Sequence, residues 1–167
     1  MSETRPKALI VDDDRLARTM LEDMLAPHFE VQLAASGDEA LTLLGKATYA
    51  VVLSDQIMPG VTGVEVLSRC MEQCPSTVRI LVSATESPKD IRDAVNLARV
   101  HRVIVKPLRE LEVESIVMGA LREHQLAEEN ARLVVELRAR EAELERELRI
   151  RDDELAGIMA QVREVPR

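Results

Sequence analysis

Aromatic residues are nearly missing from this chain: one Phe, one Tyr and no Trp. A core built from it has to be aliphatic, and a surface that stacks bases on aromatic faces is excluded. Cysteine is scarce as well. Cys70 and Cys74 stand four apart on a predicted helix. That spacing is neither a Cys-x-x-Cys pair nor a disulfide framework, so both read as ordinary helix residues of a protein in the reducing cytoplasm. The histidines His28, His101 and His124 have no metal-ligand spacing. No apolar run approaches membrane-spanning length, and the first residues lack an apolar signal region. An excess of positive charge is also lacking. Residues 1–108 carry 12 basic and 15 acidic residues, and residues 109–167 carry 10 and 15. Neither part has the basic balance of a nucleic-acid-binding segment or of a surface that docks on anionic lipid.

What is present is aliphatic and ordered. Apolar residues make up 46% of 167 residues, enough for one buried domain and an accessory element. Short apolar runs alternate with amphipathic segments over the first hundred residues. Ala8–Val11, Tyr49–Leu53, Val78–Val82 and Val103–Val105 read as buried parallel strands, and Phe29–Leu33 alternates as an edge strand does. Leu16, Ala17, Met20, Leu21, Met24 and Leu25 form one face of a helix that stops at Pro27. Ser36 with Glu39, and Thr62 with Glu65, have capping-box spacing, and Ser87-Pro88 followed by Asp90 marks a further helix start. Five strands and five helices in strict alternation predict an α/β doubly wound parallel sheet.

After Pro107 the composition changes. No proline recurs before Pro166, and Glu, Arg, Leu and Ala dominate. The last domain helix is expected to continue into an extended one, some fifty residues spanning about 75 Å. Val134, Leu137, Glu141, Leu144, Leu148, Arg151, Leu155, Ile158 and Val162 follow 3,4 spacing, and seven of these nine are apolar. Upstream, Leu126, Asn130, Leu133 and Leu137 fit a second frame that shares Asn130, Leu137 and Leu144 with the first. The pattern predicts a coiled coil, expected as a parallel homodimer. The competing reading is a solvated single helix held by i,i+4 Glu–Arg pairs.

The candidate chemistry lies at strand ends. Asp12, Asp13 and Asp14 follow the first strand, and Asp55 follows the third. In a doubly wound sheet these strands are neighbours at the switch point, where ligands bind beyond the carboxyl ends. Two carboxylates about 4 Å apart repel by about 4 kcal/mol at an effective dielectric near 20. Such a cluster calls for a cation, and hard oxygen ligands suit Mg²⁺. Alternatively the acids are a turn in which Asp14 caps the next helix. Ser83 ends the fourth strand and Lys106 the fifth, so acid, acid, hydroxyl and ammonium occupy neighbouring strand ends.

Taken together, Val11-Asp12-Asp13-Asp14, Ser54-Asp55-Gln56-Ile57-Met58-Pro59-Gly60, Ser83-Ala84 and Lys106-Pro107 resemble the receiver domain of bacterial response regulators, over about residues 6–122. The stretches around Asp55 and Lys106 are similar to the receiver branch often joined to cyclic-di-nucleotide enzymes or enhancer-binding activators. The resemblance implies a flavodoxin-like fold in which Asp55 accepts a phosphoryl group from a sensor histidine kinase. It implies that Asp12, Asp13, Asp55 and the backbone carbonyl of Ile57 hold Mg²⁺. Lys106 would pair with Asp55 and then with the phosphoryl oxygens, and Ser83 would bind a phosphoryl oxygen in the modified state. Thr85 and Ile57 border the site and are expected to tune hydrolysis.

One position departs from the family pattern. Val103 stands where receivers usually carry an aromatic residue, so the usual rotamer switch is absent. The expected organisation is a receiver at residues 1–122 and a coiled-coil tail at 123–167, continuous with the last receiver helix. A phosphoacceptor rather than an enzyme is expected, cytoplasmic, with no nucleic-acid or membrane contact. The output is either the tail itself, on a downstream protein partner, or a domain lying beyond it. The rival reading is a phosphorylation-independent adaptor that works through the coiled coil.

Overall fold

The computed structural model describes residues 5–84 and 88–163. The expected helix start at Ser87 and the site neighbour Thr85 lie outside the described residues. Ten elements alternate along the chain: β1 Lys7–Val11, α1 Arg15–Leu25, β2 Glu30–Ala34, α2 Gly37–Leu44, β3 Val51–Asp55, α3 Gly63–Gln73, β4 Val78–Ser83, α4 Pro88–Ala98, β5 Arg102–Val105 and α5 Glu110–Arg163. The five strands form one parallel sheet in the order β2-β1-β3-β4-β5, the doubly wound arrangement that the alternation predicts.

Strand residues divide by parity, because successive side chains leave a strand on opposite faces. Ala8, Ile10, Val51, Leu53, Ile80 and Val82 pack with Leu21 and Leu25 of α1 and Val113 and Val117 of α5. Leu9, Val11, Val52 and Leu81 pack with Ala40 and Leu44 of α2, Val66, Leu67 and Cys70 of α3 and Ala98 of α4. The central strands β3 and β4 are buried throughout, which is why they read as continuous apolar runs, whereas the edge strand β2 alternates.

Three expectations shift in detail. On α1, Ala17, Leu21 and Leu25 are buried, but Leu16 is 67% exposed and Met20 38%. These two lie one residue, hence about 100°, from the buried i,i+4 row, and the sheet does not reach that far round the helix. At α2 the Ser36 hydroxyl caps Glu39 N–H as expected, but the Glu39 carboxylate accepts from Ala35 rather than from Ser36. The Thr62–Glu65 capping box is complete. Strand β3 begins at Val51, two residues later than expected, and Tyr49 instead buries its ring and donates its hydroxyl to Gln32 Oε1 at 2.6 Å.

The chain separates into two compact units between Gln125 and Leu126. In the first, α5 buries Val113, Val117, Ala120 and Leu121 in the domain core. In the second, every residue from Leu126 to Ala160 is exposed. Among the described residues, no helix is long and apolar enough to cross a membrane.

Candidate functional site

Register alone gathers the strand-end residues. Val11 pairs with Ser54, Asp55 with Val82, and Ser83 with Val105. One step past these pairs, Asp12 leaves β1 beside Asp55, and Lys106 leaves β5 beside Ser83. Asp12, Asp55 and Ser83 are 1%, 6% and 1% exposed, so polar groups are held at the end of a largely aliphatic core. Such burial is tolerated only with partners.

The partners are present. Lys106 Nζ donates to Asp55 Oδ1 at 2.6 Å and to Asp12 Oδ2 at 3.1 Å. Ile57 N–H donates to Asp55 Oδ2 at 2.9 Å, which turns the chain sharply after the strand. Asp14 N–H donates to Asp12 Oδ1, and the Asp14 carboxylate accepts from Leu16 N–H as the cap of α1. The acidic triplet therefore divides its work: Asp14 caps, and Asp12 and Asp13 remain with Asp55. Ser83 sits at the end of β4, where its carbonyl accepts from Lys106 N–H at 2.8 Å.

Burial pushes the Asp12 carboxyl up from its ordinary range, against the hydrogen bonds from Asp14 and Lys106. Burial pulls the Lys106 ammonium down, but its hydrogen bonds to Asp55 and Asp12 outweigh this and the net shift is upward. One ammonium thus serves two carboxylates, and Asp12 is still short of positive charge. Asp12, Asp13 and Asp55 each offer an oxygen within 4.8 Å of the others. Three hard oxygen donors converging in one crevice, one of them exposed to solvent, fit a small divalent cation that keeps water ligands, as Mg²⁺ does.

Two features escape sequence reasoning. Gly63 opens α3, and a Cβ there would lie 2.1 Å from the Asp55 carbonyl oxygen. Gly63 N–H also donates to the Gln56 carbonyl. The absent side chain lets α3 seat directly on the Asp55 backbone; the only sequence signal is a glycine immediately after the Thr62 cap. The second feature is the exposed pair Leu16 and Met20. With Ala17, Asp14, Lys106, Pro107 and Leu108 they line an open hollow of about 240 Å³ beside the Lys106 ammonium. Val103 is half-buried against the core, its strand position opposite Leu81.

Comparison with known proteins agrees with this geometry. Residues 8–118 match the family described as response regulator receiver domain. The chain is 36% identical over 138 residues to the hydrogenase transcriptional regulatory protein HoxA of Cupriavidus necator, covering 83% of this chain and 29% of that protein. It is 34% identical over 104 residues to the Regulator of RpoS of Escherichia coli, covering 62% of this chain and 31% of that protein. It thus spans under a third of the length of either relative. The signal receiver domain of an HD domain-containing protein from Pseudomonas fluorescens superimposes with a TM-score of 0.69 at 30% identity, covering 72% of this chain and 98% of that one. Fold, strand-end residues and matched sequence converge, and the chain belongs to the response regulator receiver family.

Proposed function

We propose that this chain is a phosphate-accepting switch of a two-component system: Asp55 takes a phosphoryl group from a phosphohistidine of a sensor histidine kinase. The observation that carries this is the Lys106 ammonium 2.6 Å from a carboxylate that ends a buried strand within 4.8 Å of two further carboxylates. An Asp55 oxygen attacks phosphorus, the phosphorus–nitrogen bond breaks, and the donor imidazole leaves with its electron pair and takes up a proton. Asp12, Asp13, Asp55 and the Ile57 carbonyl would hold Mg²⁺, which when bound would supply charge neutralisation for the incoming phosphoryl group.

Lys106 holds the carboxylate in place before transfer and then pairs with a phosphoryl oxygen. Ser83 donates its hydroxyl to another. That contact exists only in the modified state, so it supplies a differential free energy able to shift a population. Burial of Asp12 and Asp55 keeps bulk water from the acceptor, and Ile57 N–H fixes the carboxylate's orientation. The hollow at Leu16, Met20 and Leu108 gives the donor protein an apolar foothold beside Lys106. The receiver spans residues 1–122, and the tail at 123–167 transmits the change as a dimeric coiled coil to a downstream protein. The chain acts as an acceptor rather than an enzyme, losing its phosphoryl group by slow hydrolysis, in the cytoplasm, and contacts neither nucleic acid nor membrane.

The adaptor reading has one observation in its favour: the aliphatic Val103 at the usual aromatic position. Acetyl phosphate with Mg²⁺, followed by intact-mass measurement, separates the two. We expect a gain of about 80 Da, one phosphoryl group, abolished in Asp55→Asn. No gain in the wild type, or an equal gain in Asp55→Asn, removes Asp55 as the acceptor.

A further inference from the structure

The tail exposes an apolar stripe whose interruptions carry information. Val134, Leu137, Leu144, Leu148, Leu155 and Ile158 are each between 45% and 62% exposed, far more than an aliphatic side chain retains in a core. Two charged residues, Glu141 and Arg151, share the stripe. They are of opposite sign and stand symmetrically about residue 146. Between Val134 and Ile158 the other stripe residues are arranged about the same centre: Leu144 mirrors Leu148, Leu137 mirrors Leu155, and Val134 mirrors Ile158.

We infer that the tail pairs with a second copy of itself in antiparallel orientation, centred on Arg146. This rests on the reading of the tail as a dimeric coiled coil and replaces the parallel orientation expected from spacing. In the antiparallel pair, Glu141 of one helix meets Arg151 of the other, twice by symmetry, and all remaining layers from Val134 to Ile158 are apolar on both sides. A parallel pair instead sets Glu141 against Glu141 and Arg151 against Arg151. Flanking residues soften those layers, Arg140 beside Glu141 and Asp152 beside Arg151, but like charges still share each layer.

The flanks point the same way. Antiparallel pairing sets Arg140 against Glu154 and Arg138 against Asp152, each twice. Its two like pairs, Glu145 with Glu145 and Glu147 with Glu147, fall at the centre, where Arg149 of the same helix already lies 3.6 Å from Glu145. Parallel pairing matches Arg140 with Glu145 but sets Glu147 against Asp152. The occupant that completes the stripe, in both shape and charge, is therefore another copy running the opposite way.

The test uses the full chain. Light scattering at tens of micromolar establishes the dimer, and a spin label at Ala160→Cys, with Cys70→Ala and Cys74→Ser, measures orientation. Antiparallel pairing about residue 146 offsets the two labels by 28 residues, about 42 Å along the axis. Parallel pairing leaves them at one level, about 20–25 Å apart across a pair of helices. Charge exchange supplies a second readout. Glu141→Arg and Arg151→Glu should each weaken dimerisation about tenfold or more, and the double variant should recover to within about threefold of the wild type. A dimer with the short distance, or single variants as tight as the wild type, overturns the orientation alone. A monomeric wild type overturns the orientation and the dimeric tail together, and neither result touches phosphoryl acceptance at Asp55.

Discussion

The domain and the tail use the same residue types to opposite ends. In the domain, aliphatic side chains are hidden: Leu9, Ile10, Leu53 and Ile80 are at most 1% exposed. In the tail, Leu137, Leu148 and Leu155 remain about 60% exposed. For these aliphatic side chains the difference lies in partners. A strand in mid-sheet has helices on both faces, whereas a lone helix can cover nothing of its own. The ion pairs of the strand-end site differ from those of the tail in the same way. Lys106 joins Asp12 and Asp55 across long sequence separations in a crevice, while Arg132–Glu129 and Arg140–Glu143 link neighbours on one exposed helix face.

The largest expected effect tests that division directly. Leu53→Ala should cost the domain about 2–5 kcal/mol, through lost transfer energy and the cavity left behind. Leu144→Ala should leave domain stability within about 0.5 kcal/mol and act on self-association instead. Tyr49, the one tyrosine, is buried in the domain, so its fluorescence during urea unfolding reports that unit alone. Equal losses in the two variants would mean that tail and domain unfold as one.

A smaller effect comes from a buried cationic cluster at the opposite end of the sheet from the acids. Arg79 is 5% exposed and donates to the carbonyls of Ala98, Pro75, Thr77 and Arg99. Burial lowers its own affinity for protons. Beside it, His101 accepts the Arg79 backbone N–H at Nδ1 and meets His124 edge to face, with ring centroids 4.8 Å apart. Burial, then the Arg79 guanidinium and His124, lower the His101 pKa from 6.5 to about 4.

The unfolded chain therefore holds the extra proton between about pH 6.5 and 4, and stability rises with pH across that window. His101's contribution is complete above about 6.5 and is lost as pH falls to about 4, at most about 3 kcal/mol and less for its partial exposure. His101→Asn keeps an acceptor for Arg79 N–H and removes the titration, so its stability profile should be flatter over that range. Profiles that stay parallel from pH 7 to 4 would show that His101 titrates alike in both states.

The smallest effect is expected on the tail. Arg132→Ala removes an exposed i,i+3 pair with Glu129 at 2.6 Å, and thermal unfolding followed by helicity should change by less than about 0.5 kcal/mol. A loss above about 1 kcal/mol would mean that the tail's surface pairs carry stability as the domain's buried ones do.

Local pattern by itself determined much of this protein. The strand runs, the capped starts of α2 and α3, the stop before Pro27 and the acids, hydroxyl and lysine at strand ends were all readable, because periodicity and capping act over a few residues. Tertiary structure decided the rest. That Asp14 caps while Asp12 lies buried beside Lys106 depends on β1, β3 and β5 being brought together from 94 residues apart. The exposure of Leu16 and Met20 depends on how far the sheet reaches around α1. Gly63's missing side chain has meaning only because α3 rests on the Asp55 carbonyl. Sequence spacing records which face of an element is apolar; only packing in three dimensions decides what covers that face, and which charges meet where nothing does.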